Sequence, residues 1–474
     1  MNILFISTEA VPFAKTGGLG DVIGSLPPEL TKKGADVRVM LPLYKSIKEE
    51  YSPSLVFHKA FTVDLSWRDC YCGLFSMEYN EITFYFIDNE QYFNRESYYG
   101  YCDDGERFAY FSKAALESLK YIDFDPQILH CSEWQSALVP VFLKTHYKNI
   151  GHYQGLRTVF TIHNIEYQGV FGKDILDDIL GIGKENADLL MMDESVNYMK
   201  GAIVTSDKLT TVSPSYAEEI SYPFFAHGLH SIITDNRYKL SGIINGIDYK
   251  LYNPYRDKAL PYKYSKNSQD KKRRNKEALQ EELDLYSDVD MPIIAMISRL
   301  VEHKGLDLIT TVFDEIMDDQ VQFVLLGTGD HQYEDFFRRK AQQNSKKIAA
   351  ITAFSPQLAS RIYAGADLFL MPSISEPCGL TQMIALRYGT IPIVRATGGL
   401  KDTIKPYNPD TGKGNGIRFD SINAHDMLDA VKRGLEFYRR QEHWGRLMDN
   451  AFNTDCSWKK SAIEYIKLYE SIIE

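Results

Sequence analysis

The sequence lacks the features that would place this protein in a membrane or on nucleic acid. It has no run of about 18 apolar residues, the length needed to cross a bilayer. Its formal net charge is −11. Its one long basic run is Lys271-Lys272-Arg273-Arg274, which we expect to be a solvated face at the start of a helix. We therefore predict neither nucleic acid nor a membrane as a partner.

Sequence patterns typical of metal sites and of secreted proteins are also missing. None of the six cysteines belongs to a Cys-x-x-Cys pair, and Cys70-Tyr71-Cys72 alternates as in a strand. The sequence therefore predicts no metal site. No basic leader precedes the first apolar segment. These observations together predict a protein of the reducing cytoplasm.

Strands and helices alternate along the 474 residues, a length that predicts about two or three domains. The first series of predicted strands comprises Ile3–Ser7, Val37–Leu41, Ile82–Ile87, Ile128–Cys131, Thr158–Ile162, Lys208–Val212 and Gly242–Ile244. A polar, turn-rich stretch follows, with a helical pattern at Asn275–Leu285. The second series comprises Ile293–Ser298, Gln322–Leu326, Ile348–Thr352, Leu368–Met371 and Ile391–Val394.

Two such series predict an α/β protein with two doubly wound Rossmann-like domains facing across a deep cleft. In such domains ligands bind at the carboxyl ends of the strands. We expect an N-terminal domain at residues 1–244 and a C-terminal domain at 245–456. Residues 457–474 predict an amphipathic helix that packs back on the first domain.

The most informative motif is a glycine-rich turn after the first strand, Lys15-Thr16-Gly17-Gly18-Leu19-Gly20-Asp21-Val22. Glycines and a lysine at a strand-to-helix junction indicate a phosphorylated ligand. A dinucleotide-binding oxidoreductase is the first alternative, but the second strand ends in Pro42-Leu43-Tyr44 without the acidic residue expected for a ribose hydroxyl. The turn is not a Walker motif, because no Gly-Lys-Ser/Thr follows a four-residue spacer.

The second half carries its own predicted anion site. Arg299 and Lys304 bracket a loop after a strand, where they either converge on a diphosphate or lie apart on the surface. A further turn contains Gly327. The loop from Pro372 to Thr381 combines a carboxylate, Glu376, with a predicted helix start. Backbone amides there suit phosphate and the carboxylate suits sugar hydroxyls, which together describe a nucleotide-sugar pocket.

The first half supplies other polar and aromatic strand ends. His163 and Asn164 lead into an aromatic loop, and another strand ends in Glu133-Trp134. Tyrosines and a phenylalanine crowd residues 92–101. Aromatic rings beside hydrogen-bonding groups suit a carbohydrate chain, although a loop packed on itself explains them equally well.

Together these motifs resemble those of the bacterial glycogen (starch) synthases, retaining glycosyltransferases of the GT-B fold. The matching stretches run in the family's order over nearly the whole chain: Ser7-Thr8-Glu9, Lys15–Val22, His163–Phe171, Asn245–Asp248, Ser298–Gly305, Ser375–Gln382 and Thr397–Thr403. One position departs from the family pattern, because Glu133 stands where the family often has Asp before Trp. That departure affects the acceptor side of the site.

The resemblance implies transfer of glucose from ADP-glucose to the non-reducing end of an α-1,4-glucan such as glycogen, with the α configuration kept. We expect no cofactor, and no metal either, because two cations and helix N-termini are available for the phosphates. The implied catalytic residues are Lys15, His163, Arg299, Lys304 and Glu376. The implied donor-binding residues are Gly17, Gly18, Asp21, Asn245, Gly327, Cys378, Gly379, Leu380 and Thr381. The candidate acceptor residues are Glu9, Tyr92, Tyr98, Glu133, Trp134 and Asn164.

Two alternatives stay open at this point. The first is a related GT-B synthase that uses UDP-glucose or a small sugar acceptor, since no motif distinguishes adenine from uracil. The second is a catalytically inactive glucan-binding protein, although cations at a leaving phosphate would serve no purpose in one. The oligomeric state is not indicated by the sequence.

Overall fold

The protein divides into two compact units in the computed structural model, which describes residues 1–473. The first unit contains Met1–Gly246 and the C-terminal residues from Trp458, and the second contains Ile247–Ser457. The sequence placed the boundaries at 244/245 and 456/457. The chain thus leaves the first unit at Gly246 and returns to it at Trp458.

The first unit is built on a nine-stranded sheet and a small three-stranded sheet. Its strands are β1 (Asn2–Ile6), β2 (Asp36–Pro42), β3 (Val56–Leu65), β4 (Arg68–Tyr79), β5 (Ile82–Asp88), β6 (Ile128–Ser132), β7 (Arg157–Ile162), β8 (Val170–Gly172), β9 (Met191–Met192), β10 (Ser195–Asn197), β11 (Lys208–Thr211) and β12 (Leu240–Gly242). The large sheet has the order β12-β11-β7-β6-β1-β2-β5-β4-β3 and is parallel except around β4.

The helices of the first unit before the crossing lie between these strands. They are α1 (Gly18–Thr31), α2 (Lys45–Tyr51), α3 (Glu90–Phe93), α4 (Asp104–Ser118), α5 (Leu138–Thr145), α6 (Tyr198–Thr205), α7 (Pro214–Glu219), α8 (Pro223–Ala226) and α9 (His230–Asp235). Strand-helix alternation with buried parallel strands confirms the predicted doubly wound architecture.

The second unit has a six-stranded parallel sheet of order β15-β14-β13-β16-β17-β18. Its strands are β13 (Ile293–Ile297), β14 (Gln322–Leu326), β15 (Ile348–Ile351), β16 (Leu368–Met371), β17 (Ile391–Arg395) and β18 (Ile417–Phe419). Its helices are α10 (Gln269–Glu282), α11 (Leu306–Met317), α12 (His331–Gln343), α13 (Pro356–Gly365), α14 (Thr381–Arg387), α15 (Gly398–Thr403), α16 (Ala424–Arg439) and α17 (Gln441–Asn453). Strand order reverses between β13 and β16, the position where ligands of such sheets bind.

The prediction of a solvated basic face at residues 271–274 is wrong for Lys272. This side chain is buried, and its ammonium group donates to the carbonyls of Ala364 and Ala366 at 3.0 and 2.9 Å and to Thr390 Oγ1 at 2.8 Å. Burial lowers the pKa of Lys272 to about 7. The helix α10 therefore packs Lys272 inward while Lys271 stays exposed, because the end of α13 offers carbonyl acceptors that a charge count cannot reveal.

The last helix, α18 (Trp458–Ile473), follows the second unit in sequence but belongs to the first. Its buried residues recur at helical spacing and include Trp458, Ala462, Tyr465 and Tyr469. It packs against α1. Within residues 1–473, no helix combines the length and apolarity that a membrane crossing requires.

Candidate active site

A cavity of about 180 Å³ lies at the strand-order reversal of the second unit. Two loops form it, one after β13 and one after β16, which are neighbours in the sheet. Six of the predicted residues line it: Arg299, Lys304, Glu376, Gly379, Leu380 and Thr381. The structure therefore brings together most of the residues that the sequence placed at these two strand ends.

The two loops are held together by their backbones. The amide of Ile374 donates to the carbonyl of His303 at 2.8 Å. Gly305 has φ +72, and a Cβ there would lie 2.1 Å from the carbonyl oxygen of Pro372. Gly327 touches the same region, because its Cβ would lie 1.9 Å from the carbonyl oxygen of Ser298. These contacts admit only glycine and set the position of Lys304 beside Glu376.

Lys304 and Glu376 form a partly buried ion pair in this cavity. Lys304 Nζ lies 2.7 Å from Glu376 Oε2, and Ser373 Oγ donates to the same oxygen at 2.9 Å. Glu376 Oε1 receives no hydrogen bond from the described residues. The carboxylate is therefore held by one oxygen and keeps the other available as an acceptor.

Arg299 differs from Lys304 because it is exposed at the rim of the same cavity. Its guanidinium group makes no ion pair or hydrogen bond with residues 1–473. Cys378 is buried, and its carbonyl accepts from Gln382 Nε2 at 3.0 Å. Cys378 thus supports the loop, whereas Arg299 presents a planar donor group to the cavity.

The glycine-rich turn of the first unit is organised by Glu9. Its carboxylate accepts the backbone amides of Thr16 at 2.7 Å and Gly17 at 3.2 Å, and also the Thr16 hydroxyl. Tyr99 donates to it at 3.0 Å. Glu9 is only 4% exposed, so its contacts support a role in shaping the turn in place of the predicted acceptor contact.

The charged residues of that turn pair with each other. Lys15 Nζ lies 2.7 Å from Asp21 Oδ1, and the lysine is exposed. Gly18 begins α1, and Gly17 occupies the position before it. Asn245 lies in the same unit, buried, and its Oδ1 has no hydrogen-bond partner among the described residues. It is a buried acceptor that a ligand donor would satisfy.

Glu133, His163 and Asn164 meet at the adjoining ends of β6 and β7. One carboxylate oxygen of Glu133 accepts the backbone amides of His163 at 2.6 Å and Asn164 at 2.8 Å. Glu133 has φ 66 and ψ 170, a conformation that non-glycine residues rarely adopt and that is frequent at functional sites. Burial lowers the pKa of His163 to about 4, and its Nε2 is buried without a partner among the described residues.

Burial raises the pKa of Glu133 from 4.5 to about 8. Between these values the folded protein keeps a proton that the unfolded chain releases, so the free energy of unfolding falls as pH rises through this window. We expect Glu133→Gln to remove that fall, since an amide still accepts both bonds and never ionises. Denaturant titrations at pH 5 and 8.5 measure it, with the exposed Glu166→Gln as control. Parallel pH profiles for wild type and Glu133→Gln would contradict the assignment.

An open cavity of about 540 Å³ surrounds Trp134 in the first unit. Trp134 and Phe171 have ring centroids 5.8 Å apart. Tyr101, Tyr167 and His227 also line this cavity. His227 was not among the predicted site residues, because it follows a short helix in a left-handed backbone conformation and belongs to no motif or periodic pattern.

Two predicted acceptor residues lie elsewhere. Tyr92 is 2% exposed and its hydroxyl donates to Glu106, so this tyrosine packs within the protein as the alternative of a self-packed loop predicts. Tyr98 is half-buried, with its ring 4.6 Å from that of Tyr44 and its hydroxyl 3.2 Å from Ser46 Oγ. Neither residue lines the cavity around Trp134.

The chain is similar to known proteins over its whole length. The family described as the starch synthase catalytic domain matches residues 2–235, and glycosyl transferases group 1 match residues 279–447. Glycogen synthase of Bacillus cereus (strain Q1) is 48% identical over 476 residues, with both chains covered completely. Glycogen synthase of Desulforamulus reducens is 50% identical over 475 residues, covering 100% of this chain and 99% of the relative.

Solved structures show the same relationship. The catalytic domain of starch synthase IV from Arabidopsis thaliana, bound to ADP and acarbose, matches with a TM-score of 0.90 and 34% identity over 99% of each chain. Sucrose-phosphate synthase of Thermosynechococcus elongatus, at 16% identity and a TM-score of 0.63 over 99% of this chain and 98% of that one, shares the fold alone. These matches confirm the resemblance drawn from the motifs. The chain has the GT-B fold and belongs to the glycogen and starch synthase family of glycosyltransferases.

Proposed function

We propose that this protein transfers glucose from ADP-glucose to the non-reducing end of an α-1,4-glucan with retention of the α configuration. The observation that carries the proposal is the cavity in which Lys304 pairs with Glu376 beside Arg299, which has no partner among residues 1–473. The names of its relatives, glycogen synthases, and the ADP bound by the plant starch synthase support the same reaction.

The two cations and the carboxylate would bind different parts of the ADP-glucose donor. Arg299 and Lys304 would bind the diphosphate, whose charge matches theirs. Glu376 cannot bind phosphate because like charges repel, but its Oε1 can accept a hydrogen bond from a glucose hydroxyl. Lys304 would therefore contact the phosphate side of the bond that breaks, and Glu376 the glucose side.

The reaction would proceed on one face of the sugar. The bond between glucose C1 and the phosphate oxygen breaks, the bond from C1 to the acceptor's 4-hydroxyl oxygen forms, and the hydroxyl proton passes to the leaving phosphate. Fixed positive charges stabilise the negative charge that develops there, usually the largest catalytic contribution. Trapping a covalent glucosyl-enzyme on a side chain would contradict this route.

We further propose that neither a cofactor nor a metal takes part, since Arg299 and Lys304 line the cavity and would supply positive charge to the leaving group. Activity should then survive EDTA, and a loss restored by Mg²⁺ would overturn the proposal. A cytoplasmic location is supported by the six cysteines, which are all free.

The acceptor glucan would bind in the first unit, at the cavity around Trp134. Sugars stack on aromatic faces, and Trp134 and Phe171 supply two beside the polar groups of Glu166 and Gln168. His163 and Asn164 lead into the same loop. This part of the proposal rests on the chemistry of the lining.

One assay tests the proposed function. Radiolabelled glucose from ADP-glucose should enter glycogen, whereas UDP-glucose should serve poorly. Preference for UDP-glucose or for a small sugar acceptor such as fructose phosphate would identify a different GT-B synthase. Binding of glycogen without incorporation from either donor would identify an inactive glucan-binding protein.

A further inference from the structure

The C-terminal helix α18 reaches the strand ends of the first unit through a buried hydrogen-bond chain. Tyr469 OH lies 2.6 Å from His130 Nδ1, and His130 Nε2 lies 2.6 Å from Thr161 Oγ1. Thr161 Oγ1 in turn lies 2.5 Å from Thr210 Oγ1. All four side chains are at most 2% exposed, so none exchanges these bonds with water.

His130 is the central member of this chain and is neutral. Burial lowers its pKa to about 3, with the nearby His163 as a smaller cause. A neutral imidazole donates through one ring nitrogen and accepts at the other, so both of its polar atoms are used. The rings of Phe5 and Tyr465 lie against it, at 4.5 and 5.8 Å between centroids.

The hydrogen-bond chain continues to Glu133, His163 and Asn164 at the ends of β6 and β7, the group that we call the transfer site because the resemblance implies a catalytic role for His163. The carbonyl of Thr161 accepts the amide of Glu133 at 3.1 Å. The carboxylate of Glu133 then accepts the amides of His163 and Asn164. Hydrogen bonds, joined through the residues Thr161 and Glu133 themselves, thus connect α18 to His163.

We propose that Tyr469 is a positioning residue for the transfer site, acting through His130 and Thr161 on Glu133 and His163. This inference rests on the proposed transfer reaction. The C-terminal helix α18 follows the whole second unit in sequence. Through these hydrogen bonds it helps to hold the acceptor side of the site in the first unit. Buried hydrogen-bond chains of this kind restrict the positions of every group they join.

Tyr469→Phe tests the inference, since it keeps the ring and leaves His130 Nδ1 buried without its partner. We expect kcat for glucose incorporation to fall about tenfold, because small displacements at a transfer site are costly. The dissociation constant of ADP should not change, because Arg299, Lys304 and Glu376 all belong to the second unit.

Tyr153→Phe is the matched control. It removes another buried hydroxyl of the first unit, which donates to the carbonyl of Leu116 at 3.2 Å, outside the chain. Both variants should lower the unfolding midpoint, but only Tyr469→Phe should lower kcat. Equal kcat values for the two folded variants would overturn the inference. The proposed function would still be supported, because it depends only on the activity of the wild type.

Two further measurements separate positioning from stability. Thr161→Val combined with Tyr469→Phe should lower kcat no further than the more harmful single change, and additive losses would contradict a continuous chain. The imidazole signals of His163 in ¹H–¹⁵N spectra should shift in Tyr469→Phe and stay in place in Tyr153→Phe. This second readout requires no turnover, and an unmoved His163 would also overturn the inference.

Discussion

Lys304→Ala is expected to lower kcat by about a hundredfold to a thousandfold, the loss typical of removing one donor that stabilises a developing negative charge. The Lys304 ammonium lies in the cavity at the reversal of strand order, 2.7 Å from Glu376. Departure of ADP concentrates charge on the phosphate, so the lysine contributes more in the transition state than in the bound donor. The dissociation constant of ADP-glucose should therefore rise far less than kcat falls.

Lys346→Ala provides the matched control for this experiment. Lys346 pairs with Asp284 in the same unit, but on the surface and away from the cavity. Its kcat should equal that of the wild type, and Lys304→Arg should recover part of the activity lost in Lys304→Ala. Unchanged turnover in folded Lys304→Ala would remove the lysine from the active site and withdraw the main support for the proposed reaction.

The residues of the donor cavity were predictable because they follow strands. Apolar runs located β13 and β16, and a doubly wound sheet brings the carboxyl ends of its central strands together. Arg299, Lys304 and Glu376 therefore converge although 77 positions separate the first from the last. Periodicity located the first five strands of the second sheet within about one residue at their ends, but it placed β12 two residues too late and missed β18.

Other features depend on neighbours that no local pattern describes. The hairpin of β3 and β4 was not predicted, because β3 is an edge strand that exposes most of its residues and lacks a clean alternation. Strands β8 to β10 have two or three residues, too few for any period. Glu9 was assigned to a ligand from its place in a family motif and Tyr92 from its aromatic neighbours, whereas burial by their own loops determines their contacts.

The helix α10 shows the same limit in a charged segment. Its sequence, rich in lysine and arginine, predicts exposure, yet Lys272 and Lys276 are among the least exposed lysines of the protein. Both ammonium groups lie against acceptors of the second sheet and its helices. The lysine stems are long enough to reach these acceptors from a helix whose other face is solvated.

Lys276→Met should consequently lower the free energy of unfolding by about 3 to 5 kcal/mol, the usual cost of leaving one member of a buried ion pair alone. Lys276 Nζ lies 2.7 Å from Asp367 Oδ2, and the side chains are 3% and 11% exposed. The same carboxylate oxygen accepts the amide of Ile293 at 2.9 Å, which ties it to the start of β13. Guanidinium titration of the intact chain, followed by a probe in the second unit, measures the change.

Two companion variants decide whether the unpaired charge is the cause. Lys346→Met removes an exposed lysine from its pair with Asp284 and should cost less than about 1 kcal/mol. Adding Asp367→Asn to Lys276→Met should restore most of the stability, because the amide is neutral and its oxygen still accepts from Ile293. A loss for Lys276→Met as small as that for Lys346→Met would show that the pair holds α10 weakly. An unrescued double variant would instead assign the loss to packing of the lysine stem.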